Sequence, residues 1–266
     1  MSLSAAELYA AVLAAPDDLD VRLAYADAVE SSDPGHALLI REQIDASRRE
    51  HVRLMTLPER PAPGLAYFRD SGLGDDERLL AKFGVDGELL DGFATYCGFP
   101  EAVMLSGAAF LEHGASLYER LPVRHVSLSD VDAALAGRLA VSPLVDRLSS
   151  LVLRFCPLGD DGLRALGASD RFRRLRHLDL YETGITDADA FVAALPERMP
   201  ALQWLDLGGN RVSVQPWGSG FGLDGGLGPK YVDYSGHGAA LNERFGPFPW
   251  MRAGWAWHGG PLWGTV

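Results

Sequence analysis

Leu148, Leu151, Leu153, Cys156 and Leu158 return as Leu175, Leu178, Leu180, Thr183 and Ile185, and again as Leu202, Leu205, Leu207, Asn210 and Val212, each set 27 residues after the last. A fixed period of this length restricts a fold more than any local propensity, because one supersecondary unit must recur and stack. Val123, Val126 and Leu128 fit upstream at an offset of 25, and Val103, Leu105, Ala108 and Phe110 fit more loosely one unit earlier. Inside a unit the apolar spacing is neither strict alternation nor a helical stripe, so it reads as a short strand followed by a tight corner. Amphipathic segments follow the strands: "AAFLEHGASLYERL", "DGLRALGASDRFRRL" and "ADAFVAALPERM". The expected class is therefore α/β, with parallel strands on one side and helices on the other.

No such unit can bury its apolar face alone, so neighbouring units must share one continuous core. Cys156, Thr183 and Asn210 stand at the corners, where a small polar group can bond backbone atoms that the bend leaves unpaired. The stretch "LRHLDLYETGITDADAFVAALPERMPALQWLDLGGNRVS" resembles a leucine-rich repeat solenoid. The resemblance implies parallel strands on a concave face, helices on a convex face, and recognition on the concave side.

Ahead of the repeats the chain reads as helical. Ser4 and Glu7 have capping-box spacing before Leu8, Val12 and Leu13, and Pro16 ends that helix. "DDLDVRLAYADAVESSD" gives a second helix with Leu19, Leu23, Ala26 and Val29 inward, Asp17 or Asp18 serving as its cap. Pro34-Gly35 breaks it, and "HALLIREQIDASRREHVRL" gives a third; residues 75–92 also read as helical. The segment "LAAPDDLDVRLAYADAVESSDPGHALLIREQ" is similar to the repeat-companion domain, a bacterial module of myxobacterial and planctomycete type that often precedes leucine-rich repeats. The likeness rests on Pro16-Asp17-Asp18, on Arg22 through Asp27 and on Asp33-Pro34-Gly35; Ala28 and His36 depart from the Trp and Arg usual in that family. It implies architecture, since that family offers no catalytic residues to carry over. The expected organisation is a helical module at 1–56, a Pro-rich linker and lead-in at 57–99, repeats at 100–213, and a Trp/Gly-rich segment at 214–266.

Net charge is −12, which disfavours nucleic acid and anionic membranes as partners. No run of 18 apolar residues is present, so no membrane span is expected. Glu7 interrupts the first apolar run and no basic residue precedes Arg22, which argues against secretion and for the cytoplasm. Cys97 and Cys156 form neither a CxxC pair nor a disulfide framework.

Residues between the repeat leucines should line the opposite face of the sheet, because side chains alternate along a strand. That places His125, Arg154, His177, Asp179, Tyr181, Trp204 and Asp206 on one recognition surface of Trp, Tyr and Arg character. The same rows bring His177, Asp179 and Asp206 onto adjacent strands, a weaker pattern for a divalent transition metal. The segment from 214 onward carries five of six tryptophans, Trp217, Trp250, Trp255, Trp257 and Trp263, expected as a cap over the last repeat or as a binding arm. The glycine-rich 218–228 lacks the Lys-Ser/Thr of a phosphate loop, and no Gly-x-Ser-x-Gly elbow occurs. The expectation is a non-enzymatic module without a cofactor, binding a protein or peptide on its concave face. Two alternatives stand beside it. One is an enzyme or biosynthetic accessory factor using His177, Asp179 and Asp206 with His237 or His258. The other is a precursor whose Trp-rich tail is modified or cleaved.

Overall fold

The computed structural model describes residues 3–56, 77–202, 204–207 and 210, and only the backbone of 46–56, 77, 204 and 206. The chain divides into two compact units. One holds the described residues up to Leu105 together with Ala109–Ser127; the other holds Ser106–Ala108 and the described residues from Leu128 onward.

In the first unit, α1 (Ala5–Ala14) starts with the expected capping box: Ser4 Oγ accepts from the Glu7 amide and the Glu7 carboxylate accepts from the Ser4 amide. Asp18 caps α2 (Leu19–Val29) by accepting from the amides of Asp20 and Val21. Asp33 bonds the His36 amide at the start of α3 (Pro34–Thr56). These helices bury Leu8, Val12, Tyr25, Ala26, Val29, Ile40 and Ile44 in one core.

The helix expected over 75–92 is cut short. Among the described residues of that stretch only Glu77–Lys82 is α-helical (α4), because Gly84 takes a left-handed conformation, φ +69°. The Val85 amide reaches the Leu80 carbonyl and the Gly84 amide the Ala81 carbonyl, a paired C-terminal bond pattern that glycine permits. A short 3₁₀ turn at Gly87–Leu89 then leads into β1 (Gly92–Tyr96), which pairs antiparallel with β2 (Phe99–Ser106). Both residues of the connecting turn have positive φ, Cys97 at 48° and Gly98 at 85°, as a two-residue hairpin demands. Gly98 also touches α3 so closely that a Cβ would lie 2.1 Å from Ile40 Cγ1.

Arg22 and Glu101 form a polar knot that the hydrophobic pattern did not flag. Both side chains are fully buried and meet at 2.9 Å. Arg22 also donates to the carbonyls of Pro16 and Tyr96, while Glu101 accepts from Arg124, which in turn pairs with Asp17. Every arm of the buried guanidinium is thus engaged, the condition under which a buried ion pair is tolerated. The α5 helix (Gly107–Arg120) follows β2 and leads to β3 (His125–Ser129), beside β2 in the sheet.

The second unit carries the 27-residue units. Its strands β4 (Ser150–Val152), β5 (His177–Asp179) and β6 (Trp204–Asp206) run parallel and in chain order. Pairing is in the register that the repeat spacing predicts: Ser150 with His177 with Trp204, Leu151 with Leu178 with Leu205, Val152 with Asp179 with Asp206. Helices α6 (Ala133–Val141), α7 (Gly159–Gly167) and α8 (Asp189–Arg198) alternate with them. The helix expected to run from Asp161 to Leu175 ends at Gly167 instead; a 3₁₀ turn at Phe172–Arg174 delivers the chain to β5. Leu148, Leu151, Leu153, Leu158, Leu175, Leu178, Leu180 and Ile185 are buried, as the period requires.

The corners behave as their residue types suggest. Cys156 Sγ donates to the Leu128 carbonyl at 3.3 Å, and burial pushes its thiol pKa up. Asn210 Oδ1 accepts from the amides of Thr183 and Ile185, and its Nδ2 donates to the carbonyls of Leu180 and Leu207. One side chain thus ties two consecutive corners together. The molecule is an α/β protein with a mostly parallel sheet.

Candidate binding surface

The residues expected to form one recognition surface fall in both compact units. His125 is buried and lies in the first unit. Arg154, His177, Asp179 and Tyr181 come together in the second. Trp204 and Asp206 occupy β6 in the expected register, their side chains outside the described residues. Trp217, Trp250, Trp255, Trp257 and Trp263, and the cap or arm expected of them, also fall outside the described residues, as do His237 and His258.

The open sheet face expected here is not what β4 and β5 present. Ser150, Val152, His177 and Asp179 are as buried as the leucines on the other face. His177 is 4% exposed; its Nδ1 lies 3.2 Å from Ser150 Oγ, and its Nε2 has no hydrogen-bond partner among the described residues. Burial lowers the imidazole pKa to about 4, with the nearby Arg176 charge adding to the shift, so the ring is neutral at pH 7. Ser150, its partner in the Nδ1 contact, is fully buried.

Asp179, 1% exposed, accepts from Arg154 Nε at 2.5 Å and from the Tyr181 amide at 3.1 Å. Arg154 is thereby fixed with its guanidinium 5.1 Å from the centre of the Tyr181 ring. Phe155 also meets the Tyr181 ring edge-on, at 5.7 Å between centroids. Phe155 was not singled out by the sequence pattern, yet it is 64% exposed, one of few large apolar side chains so placed among the described residues.

Its backbone makes the placement more telling. Asp130, Phe155 and Glu182 stand two residues after Leu128, Leu153 and Leu180 respectively, the third apolar positions of their units, and each has a left-handed backbone, φ 57°, 60° and 52°. The repeat corner imposes that conformation, which costs a residue with a Cβ on the order of 1 kcal/mol. Short or charged residues fill two of these corners, and Gly209 holds the corresponding place in sequence after Leu207. Only at 155 does a bulky apolar ring take the strained position and point into solvent. The period in the sequence could have located this corner; what it could not supply was the exposure of the ring.

Among the described residues no group of three His, Cys, Asp or Glu side chains is placed to hold a metal ion, and Asp179 is engaged by Arg154. None of the described helices is long and apolar enough to cross a membrane. No protein-family model matches this chain, and comparison with the curated proteins gives no match either. The groups assembled here are an exposed aromatic ring, a tyrosine in edge-on contact with it, and an arginine paired with a buried acid.

Proposed function

We propose that this chain is a non-enzymatic binding protein of leucine-rich repeat type, cytoplasmic, with its N-terminal helices acting as a repeat-companion-like module. A protein or peptide partner docks on Phe155, Tyr181 and Arg154, at the ends of β4 and β5. The observation that carries this reading is the exposed Phe155 ring at a corner where its backbone is strained. Folding alone gives no reason to keep it, since a smaller residue would relieve strain and remove apolar surface from water.

The neighbouring groups suit recognition. Aromatic and arginine side chains contribute most to binding energy when they are rigid and can be desolvated. Arg154 loses little freedom on binding because Asp179 already holds it, which lowers the ordering cost of association. The solenoid reading draws its support from the 27-residue register across β4, β5 and β6 and from the linked corners at Thr183 and Asn210.

A photo-crosslinking amino acid placed at position 155 in the producing organism tests the proposal. It is expected to trap a discrete protein adduct that is absent when the same group replaces the exposed Arg164 on α7. Equal labelling from both positions, or none from 155, would overturn it.

A further inference from the structure

A second surface lies at the other ends of β4 and β5, and it differs in charge from the rest of the chain. An open groove of about 730 Å³ runs between the end of α6, the turn before β4 and the turn before β5. Its apolar part is Val141, 72% exposed, with Ala168 beside it.

Two acids line it, and both are already answered. Asp146 is paired with Arg171 at 2.9 Å, and Asp170 is paired with Arg198. Arg173 and Arg174 also line the groove, exposed and without an ion-pair partner among the described residues. In a chain of net charge −12, two adjacent uncompensated arginines beside an exposed valine are an unusual combination. Charge of this sign draws acidic segments to the groove.

We propose that this groove docks an acidic segment of a partner protein, two of its carboxylates meeting Arg173 and Arg174 while a small apolar side chain covers Val141. Asp146 and Asp170 also line the groove. Arg171 and Arg198 neutralise them, so an incoming carboxylate meets no unbalanced negative charge. The proposal does not depend on the Phe155 surface, which lies past the opposite ends of the same strands.

A fluorescein-labelled peptide of alternating glutamate and alanine provides the test, titrated by fluorescence anisotropy with the full chain at low salt. Binding is expected, with an affinity about tenfold lower for the double variant Arg173→Ala, Arg174→Ala, and a loss on raising the salt concentration. The melting temperature of that variant is expected to match the parent, since both side chains are exposed. Equal binding by the double variant would overturn the proposal. So would binding of a uridine homopolymer through the same two arginines as tightly as the acidic peptide, because the groove would then be a general polyanion site.

Discussion

His177 and Asp179 set a neutral ring and a buried acid on β5, and the largely buried Arg154 reaches Asp179 from the corner after β4. For His177 the folded-state pKa of about 4 lies below the value near 6.5 of an unfolded histidine. The unfolded chain therefore binds the extra proton first. Stability from this group is complete above about pH 6.5 and is lost as pH falls toward 4, by roughly 3 kcal/mol if the whole shift is expressed. His36, whose pKa burial also lowers, acts in the same direction. Urea midpoints at pH 7.5 and pH 4.5, compared between the parent and His177→Gln, isolate the contribution: the variant is expected to lose less stability on acidification. An identical loss in both would show that His177 is not protonated on unfolding as its burial requires.

At the level of elements, the repeat strands and corners were legible because the period itself encodes them. Leu178 is fully buried, and Leu178→Ala is expected to cost about 2–5 kcal/mol in chemical denaturation. Asn210 satisfies carbonyls and amides of two corners, so Asn210→Ala is expected to cost about 1–3 kcal/mol by leaving them unpaired. A loss below 1 kcal/mol in both would mean that the corners do not couple the repeats. Other elements escaped the pattern for identifiable reasons. The β1–β2 hairpin has Cys97-Gly98 at its turn, a weaker signal than Asn-Gly, and its strands follow a segment that reads as helical. The Arg22–Glu101 pair is invisible to hydrophobic periodicity, although Arg22 sits three residues after Leu19 on the inward stripe of α2. The buried second face of β4 and β5 has no sequence signature either, since Ser150, His177 and Asp179 read as solvated residues.

Across the whole molecule, the first compact unit joins the N-terminal helices to the β1–β2 hairpin and the start of β3, and the second holds the well-matched repeats. The proposed binding surface lies in the second, where one corner departs from the others in the residue it carries. The comparison among corners gives the most direct test of that assignment. The protein trapped from position 155 is purified, and its affinity is measured for the parent, Phe155→Asn and Glu182→Asn, with a melting curve for each. Asparagine accepts the left-handed backbone, so both variants are expected to melt within a few degrees of the parent. Affinity is expected to fall at least about tenfold for Phe155→Asn and to stay unchanged for Glu182→Asn. Full affinity in Phe155→Asn, or an equal loss in both variants, would contradict the placement of the binding surface at Phe155.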